Sequence, residues 1–394
     1  MRAFVIAGEA SGDALGAALM EGLRKRVPDV AFAGVGGPGM AAQGLESLFP
    51  MAELSVMGLA EILPKYRQLQ RRIRESAEAV IAARPDVLIG IDSPDFCLRV
   101  ARRVRAARPD LPVVHYVAPS VWAWRPGRAR RMAEVVDHVL ALLPFEPPYM
   151  RAAGMSCDFV GHPVVSAPRA SAAQAAAFRA AHAIAPEAPL VLGLPGSRRG
   201  EIDRLAPRFG ATLDHVRRAH PDLRVVVPTV AATRAGARAQ VADWPGAPVV
   251  LNADAADKRA AFAAADVALA ASGTVSLELA AAGVPMVIGY DMAPLTRFLM
   301  ARMLRIDTVT LVNLVSETRA VPEFLGRECR AERMAPALAA LLRDGPERAA
   351  QRAAMAETMA RLGRDGPPPG RRAADSVLEF LGKRDVAPHA GQAK

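Results

Sequence analysis

The sequence predicts an α/β protein with two doubly wound domains, and three observations indicate this. Short apolar runs of strand length alternate with helical stretches along most of the chain. The series of strands begins again at Leu190, after residues 164–189, which are rich in Ala, Ser and Pro. A chain of 394 residues also exceeds one ordinary core. We therefore expect domains at 1–167 and 168–365 that face a cleft, followed at 366–394 by a helix, which could pack back on the first domain, and a disordered tail.

Composition limits the classes of partner. The 50 Lys and Arg residues exceed the 40 Asp and Glu residues, giving a net charge of +10, while only 5% of residues are aromatic. The basic surplus favours an anionic partner such as a nucleotide or an acidic lipid surface. The scarcity of aromatic residues and of nucleic-acid motifs argues against nucleic acid. No apolar run reaches the ~18 residues of a membrane span and the N-terminus lacks a signal peptide, so a cytoplasmic location is expected.

Cofactor and metal sites are not expected from the sequence. The 3 cysteines are scattered and odd in number, which excludes a full disulfide framework and a Cys-X-X-Cys metal site. Histidines and carboxylates also lack the spacing typical of metal ligands.

The first strand, residues 3–7, runs into a turn of small and acidic residues before a helix. Glu9 and Ser11 lie in this turn, where the backbone could approach a ligand, although a simple helix cap explains the pattern equally well. Residues 34–39 (GVGGPG) match the dinucleotide fingerprint formally. We discount this match because it follows the second strand and contains Pro38.

Residues 54–73 form an amphipathic stretch. Apolar side chains recur every three or four residues, as on one face of a helix, and basic side chains crowd the second half. Such a helix could lie at a membrane surface or, as is commoner, pack on the core with a solvated basic face. The candidate membrane or acyl contacts are Val56, Met57, Leu59, Ile62, Leu63, Tyr66 and Leu69, with the basic residues Arg67, Arg71 and Arg72.

Polar and aromatic residues follow the later strands of the first domain. Asp92 comes directly after the strand 86–91, where open α/β sheets place ligands, although it could instead cap the next helix. The strand 113–117 leads into a loop with two tryptophans, which could bind a ligand or cover the sheet edge. His162 lies on a later loop, but a lone histidine is more often structural. The candidate residues of this domain, for binding the acceptor of a transferred group or for lining a cleft, are Glu9, Ser11, Asp95, Ser120, Trp122, Trp124 and His162.

The second domain contains two turns that suit an anion. Residues 195–200 (PGSRRG) combine free amides, a helix N-terminus and guanidinium groups directly after a strand. Residues 272–274 follow another strand, and Glu278 lies one turn into the next helix, where a carboxylate could accept both hydroxyls of a ribose. Either turn could also be an ordinary capped turn. The candidate donor-binding residues are Gly196, Ser197, Arg198, Ser272, Gly273, Thr274, Glu278 and Asn313.

A carboxylate from one domain and an anion site from the other suit group transfer from a nucleotide. The sequence contains no Walker loop, no Gly-X-Ser-X-Gly and no Asp-X-Asp pair. Transfer without a metal requires helix N-termini and arginine to stabilise the leaving diphosphate. Two alternatives stay open: a UDP-sugar epimerase or transferase with a soluble substrate, and a non-catalytic nucleotide-binding membrane adaptor.

The chain resembles the lipid-A-disaccharide synthase family. The matching segments run in order from near the N-terminus to about residue 325. They are AGEASGD (7–13), VMGLAEIL (56–63), GIDSPDF (90–96), HYVAPSVWAWR (115–125), LPFE (143–146), GHP (161–163), LPGSRRGEI (194–202), ASGTVSLELA (271–280), PMVIGY (285–290) and LVNL (311–314).

The resemblance implies a GT-B glycosyltransferase with two Rossmann-like domains. Its donor would be UDP-2,3-diacylglucosamine and its acceptor 2,3-diacylglucosamine 1-phosphate, called lipid X. A β-1,6 product from an α-linked donor means inversion, which needs one base. Asp92 fits that role, with Asp95 as the local competitor. The family acts without a cofactor at the cytoplasmic face of the inner membrane of Gram-negative bacteria, and a homodimer is one candidate assembly.

Overall fold

The computed structural model describes residues 1–54, 59–252, 254–293, 297, 303 and 306–386; of 59–65, 385 and 386 only the backbone is described. The chain forms two compact units. The first unit comprises Met1–Pro163 and Leu362–Lys394, and the second unit comprises Val164–Arg361. The boundaries expected at 167 and 365 lie a few residues beyond these.

The first unit is built on a parallel sheet of six strands in the order β2-β1-β3-β4-β5-β6. Its central strands are short and almost entirely apolar because helices cover both faces of the sheet. The strands are β1 (Arg2–Ala7), β2 (Ala31–Val35), β3 (Val87–Ile91), β4 (Val113–Tyr116), β5 (His138–Ala141) and β6 (Ser156–Phe159).

The second unit repeats this design with a parallel sheet in the order β12-β11-β10-β7-β8-β9. Counted from its own first strand, this is the strand order of dinucleotide-binding folds. The strands are β7 (Leu190–Leu194), β8 (Arg224–Val227), β9 (Val249–Val250), β10 (Val267–Ala270), β11 (Met286–Tyr290) and β12 (Glu323–Leu325).

Helices alternate with the strands in both units. In α4, buried residues fall at Phe96, Cys97, Val100, Ala101 and Val104, the spacing of one helix face. The described helices are α1 (Ala10–Arg26), α2 (Pro38–Ala42), α3 (Leu59–Ala83), α4 (Pro94–Ala107), α5 (Gly127–Ala133), α6 (Pro147–Arg151), α7 (Ala172–Ala181), α8 (Arg199–Arg217), α9 (Arg234–Gln240), α10 (Ala255–Ala264), α11 (Val275–Ala282), α12 (Leu311–Ser316), α13 (Ala331–Leu341), α14 (Pro346–Arg361) and α15 (Pro369–Val386).

The C-terminal helix α15 packs on α1 of the first unit. Two glycines permit the close approach: a Cβ on Gly22 would lie 2.6 Å from the carbonyl oxygen of Gly370. Arg26 of α1 contacts both carboxylate oxygens of Asp375, at 2.6 and 2.9 Å. The last helix therefore completes the first unit although it follows the second unit in sequence.

The strand orders identify where a ligand can enter each sheet. In a doubly wound sheet this is the crevice at the carboxyl ends of the two strands where the order reverses. In the first unit these strands are β1 and β3, which pair with Ala7 opposite Ile91. In the second unit they are β7 and β10, which pair with Leu194 opposite Ala270.

Candidate functional site

Asp92 lies in a strained turn at the crevice of the first sheet. Asp92 and Ser93 both have positive φ, +51° and +40°. Two successive left-handed residues that are not glycine are uncommon, and each costs about 1–3 kcal/mol. The turn is held against the β1 loop, because a Cβ on Gly8 would lie 2.4 Å from the Ser93 hydroxyl oxygen. Strain of this kind persists where the surroundings enforce it and is typical of functional sites.

The structure separates the two candidate carboxylates of this loop. Asp92 is partly buried, and its amide donates to the carbonyl of Tyr116 at 2.9 Å, which ties the turn to β4. Asp95 is exposed in the first turn of α4. Ser93, rather than Asp92, is the N-cap residue of that helix. The alternative that Asp92 serves as the helix cap is therefore wrong.

The loop after β4 carries the two tryptophans and is anchored to the loop after β5. The Trp122 ring meets the Phe145 ring edge-on at 5.1 Å, and its indole N–H donates to Glu146 at 3.3 Å. Arg125 stacks over Trp124 at 4.5 Å. Both tryptophans are partly buried, whereas Ser120 is exposed.

Backbone strain recurs at the start of this loop. Val117, directly after β4, has φ +85°, a genuine outlier for a β-branched residue. Its amide donates to the Leu140 carbonyl at 3.0 Å. Strained residues therefore follow both β3 and β4, on either side of the hydrogen bond that ties Asp92 to Tyr116.

Glu146 was not predicted as a site residue. It is 4% exposed, and burial raises its pKa to about 7. One carboxylate oxygen accepts from the Leu143 amide at 3.0 Å and the other from the Trp122 indole. The LPFE segment was the available sequence signal, but the contact with Trp122 is visible only in three dimensions.

The other predicted residues of the first unit lie at different places along the sheet. Glu9 is the N-cap residue of α1 and follows β1, next to the strand of Asp92, and Ser11 is exposed on that helix. His162 follows β6, three strands away from β3. Burial lowers the pKa of His162 to about 4, so the ring is neutral at pH 7. The fold brings Glu9 beside the Asp92 turn but leaves His162 at the opposite edge.

The glycine-rich turn after β2 is closed by a carboxylate of its own unit. Asp13 of α1 accepts hydrogen bonds from the amides of Gly37, Gly39 and Met40 at 2.8–2.9 Å. Asp13 is only 7% exposed. It therefore occupies three amides of the turn that the fingerprint-like pattern would offer to a dinucleotide phosphate.

In the second unit, the turn after β7 also holds a carboxylate. Gly196 has φ +113°, a conformation that favours glycine. The Glu201 carboxylate accepts from the amides of Ser197 and Arg198, both at 3.3 Å, and from the Arg198 guanidinium at 3.2 Å. The Arg198 side chain is 62% exposed, and Ser197 is exposed. An anion bound at these amides would therefore compete with Glu201, whereas the guanidinium is accessible.

The turn after β10 lies on the neighbouring strand, so the two predicted anion turns share the crevice of the second sheet. The Ser272 hydroxyl donates to the Val309 carbonyl at 3.4 Å. Gly273 and Thr274 are exposed, and Thr274 is the N-cap residue of α11. Glu278, one turn into that helix, forms an ion pair with Lys258 of α10.

Asn313 corrects a prediction about the donor site. Asn313 lies in the helix α12 and is 1% exposed. Its amide nitrogen donates to the Val321 carbonyl at 2.9 Å, and its oxygen accepts from the Val321 amide at 3.0 Å. Because both ends of the amide are occupied inside the unit, Asn313 fixes the backbone and does not face a ligand.

Asp291 is a second residue that sequence reasoning missed. It lies directly after β11 and is 3% exposed. It forms ion pairs with Arg208 and Arg297, both at 2.8 Å, and accepts from the Met292 amide at 2.8 Å. The residue therefore anchors the segment that follows β11 to α8.

The predicted membrane contacts fall partly outside the described residues. Val56 and Met57 lie outside them, and Leu59, Ile62 and Leu63 are described only as backbone of α3. Tyr66 is 52% exposed, and Arg67 and Arg71 are exposed.

Two of these contacts need correction. Leu69 packs against the core of the first unit. Arg72 forms ion pairs with Glu53 at 2.8 Å and Glu75 at 2.6 Å, and it stacks over Phe49 at 4.4 Å. The pairing with Arg72 also lowers the pKa of Glu53. Both residues therefore stabilise the fold from within, and neither presents its side chain to a membrane.

Two negative findings concern the described residues alone. Within them, no group of three or more His, Cys, Asp or Glu side chains is placed to hold a metal ion. In the same part of the chain, no helix combines the length and apolar character needed to cross a membrane.

Solved structures share this fold at low sequence identity. The structure of UDP-GlcNAc 2-epimerase from Neisseria meningitidis bound to UDP-GlcNAc aligns with a TM-score of 0.64 at 12% identity, over 97% of this chain and 100% of that one. A calicheamicin glycosyltransferase aligns with a TM-score of 0.59 at 20% identity, over 98% and 99%. These similarities establish the GT-B fold.

Sequence similarity identifies the family. The family model described as lipid-A-disaccharide synthetase matches residues 3–367. The lipid-A-disaccharide synthase of Ruegeria pomeroyi is 63% identical over 388 residues, covering 97% of this chain and 96% of the relative. That of Rhodospirillum centenum is 50% identical over 390 residues, covering 99% and 97%. The chain therefore belongs to the lipid-A-disaccharide synthase family and is a glycosyltransferase.

Proposed function

We propose that the chain transfers 2,3-diacylglucosamine from its UDP-activated form to the 6-hydroxyl of 2,3-diacylglucosamine 1-phosphate. The products are the β-1,6-linked disaccharide 1-phosphate and UDP. The observation that carries the proposal is the strained Asp92–Ser93 turn at the crevice of the first sheet. It supplies a partly buried carboxylate where a doubly wound sheet binds its ligand.

The proposed reaction is one in-line displacement. Asp92 takes the proton from the acceptor 6-hydroxyl while that oxygen attacks C1 of the donor sugar. The bond between C1 and the diphosphate oxygen breaks, and UDP leaves with its electron pair. A single base and a single displacement invert the configuration at C1, which matches an α-linked donor and a β-linked product.

The second unit is proposed to hold the donor. Charge that develops on the leaving diphosphate is best stabilised by preorganised amides and guanidinium groups. The turn after β7 carries the exposed Arg198 guanidinium, and α11 begins at the neighbouring turn. Glu278 is proposed to bind the ribose hydroxyls, sharing its carboxylate with Lys258.

The overall test is a transfer assay with the purified protein and both lipid substrates. We expect UDP release in the presence of EDTA, and a disaccharide product by mass spectrometry. An epimerase would instead convert a UDP-sugar in the absence of the acceptor. A nucleotide-binding adaptor would bind UDP without turnover, so either result would remove the proposal.

Removing the proposed donor contacts should weaken UDP binding. Arg198→Ala deletes charge-assisted hydrogen bonds worth about 1.5–3 kcal/mol, so the dissociation constant should rise roughly 10- to 150-fold. Glu278→Ala should weaken binding in the same direction. Isothermal calorimetry with UDP measures both. Arg218→Ala, at the exposed end of α8, is the control and should bind as the parent does. Unchanged affinity in both test variants would move the donor site elsewhere.

We further propose that the protein is peripheral on an anionic membrane, the inner face of the inner membrane, through the stretch 56–71. The support is the exposed Tyr66, Arg67 and Arg71 at the start of α3, together with the apolar pattern before them. Both proposed substrates carry acyl chains and would reside in such a membrane. Each basic residue near an anionic surface contributes about 1 kcal/mol and each buried large apolar side chain about 1.5–3 kcal/mol.

Replacing Leu59, Ile62 and Leu63 with Ser should release the protein from anionic vesicles and lower activity on the lipid substrates. UDP affinity should stay unchanged, because that site is proposed for the second unit. Vesicle co-sedimentation and calorimetry measure the two effects. Leu69→Ser is the matched comparison, because Leu69 packs on the core and its loss should lower thermal stability instead. A folded triple variant that still binds vesicles with full activity would contradict the proposal.

A further inference from the structure

Three loops follow the neighbouring strands β3, β4 and β5, at the carboxyl ends of the strands of the first sheet. The first carries Asp92, the second carries Trp122, and the third carries Glu146. The Asp92 amide donates a hydrogen bond to the carbonyl of the last residue of β4. The Val117 amide, after β4, donates a hydrogen bond to a carbonyl of β5. The backbone therefore links the three loops, and Trp122 lies on the middle one.

Glu146 joins the second and third loops through both of its oxygens. Oε1 accepts from the Trp122 indole at 3.3 Å, and Oε2 accepts from the Leu143 amide at 3.0 Å. A carboxylate can meet two N–H donors on opposite oxygens, whereas the amide of Gln would turn its own N–H₂ group towards one of them. The geometry thus requires the acid.

The arrangement is costly for stability alone. Glu146 is 4% exposed, and no Lys or Arg among the described residues forms an ion pair with it. Burying a carboxylate without a cation disfavours the charged form, in agreement with a pKa raised to about 7. An apolar contact such as that of Trp122 with Phe145 would hold the ring in place more cheaply. The acid adds a fixed direction for the indole.

We infer that Glu146 is a positioning residue for the acceptor: it orients Trp122 as the wall that aligns the acylated acceptor sugar with Asp92. The inference rests on the proposed function and concerns the acceptor half of it. Trp122 is only partly buried, so part of the residue stays accessible. The Phe145 ring packs against Trp122 nearly at a right angle, and the hydrogen bond to Glu146 fixes the direction of the indole N–H.

The kinetic experiment compares Glu146→Gln, Trp122→Phe and the double variant. A small misplacement of a substrate wall costs up to ~10²-fold, so kcat/KM for the acceptor should fall roughly 10- to 100-fold in each single variant. UDP affinity should stay at the parent value. The double variant should be no worse than the more impaired single variant, because both changes break the same contact. Tyr149→Phe, an exposed residue of the short helix α6 that follows Glu146, is the control and should behave as the parent.

A second measurement does not depend on turnover. In a Trp124→Phe background, the remaining tryptophans are Trp122 and the buried Trp244. Acrylamide quenching of tryptophan fluorescence should increase in Glu146→Gln, because the freed indole samples more exposed orientations. Parent protein that fails to transfer would count against the proposed function alone. Unchanged quenching, or additive losses in the double variant, would overturn the role of Glu146. Lower thermal stability with an unchanged kcat/KM for the acceptor would mean that Trp122 merely covers the sheet edge, and would overturn that role as well.

Discussion

Asp92→Asn is expected to lower kcat by ~10²–10⁴-fold, the usual cost of losing a general base. Asparagine keeps the size of the side chain and also tolerates positive φ, so the strained turn at +51° can persist. The loss should therefore be chemical and not structural. Steady-state assays with saturating lipid acceptor measure kcat, and calorimetry with UDP should return the parent affinity.

Asp95→Asn is the matched control for this experiment. Asp95 lies three residues further along the chain and is exposed in the first turn of α4. Its replacement should leave kcat within a few-fold of the parent. An inactive Asp95→Asn with an active Asp92→Asn would reverse the assignment of the base.

Asp291→Ala should lower the free energy of unfolding more than the other substitutions proposed for this chain. It removes the acceptor shared by Arg208, Arg297 and the Met292 amide, at a residue that is only 3% exposed. Breaking a buried ion pair costs about 3–5 kcal/mol, and because both arginines are partly exposed we expect the lower end. At about 2–4 °C per kcal/mol for a domain of this size, Tm should fall roughly 6–12 °C in differential scanning calorimetry.

Asp307→Ala tests whether burial is the cause. Asp307 also pairs with an arginine, Arg319, but its side chain is 73% exposed. Solvent screens such pairs, so the variant should unfold at nearly the parent temperature. An equal fall in Tm in the two variants would mean that burial of Asp291 is not the reason for its contribution to stability.

Strand positions and turns follow from the sequence because each depends on a few neighbouring residues. The apolar run at 190–194 and the small residues after it predict β7 and its turn as the structure has them. The paired turns of the second sheet also follow, once the strands are placed in a doubly wound order. Asn313 shows the limit, because the sequence does not distinguish a polar side chain that faces a ligand from one that is buried and hydrogen-bonded inside the fold.

Contacts between distant residues were not predictable. The partners of Arg72 are Glu53 and Glu75, of which only the second lies within a helical turn. The contacts of Trp122 with Glu146 and of Asp13 with Gly37 each cross 24 residues. Periodicity shows that a residue faces inward or outward, but not which side chain it meets there. For this reason the predicted membrane contacts included Leu69 and Arg72. Leu69 packs on the core of the first unit, and Arg72 forms ion pairs within it.

The Asp13 carboxylate already occupies three amides of the glycine-rich turn, so a phosphate could bind there only by displacing it. A tethered carboxylate competes with dissolved phosphate at an effective concentration of millimolar or more. Displacing Asp13 would break three hydrogen bonds of 2.8–2.9 Å. It would also leave that carboxylate unpaired in the interior. Glu201 makes longer bonds of 3.3 Å to its turn. We therefore expect a ligand to displace the acidic side chain more readily from the turn of the second unit, where its hydrogen bonds are longer, than from the turn of the first unit.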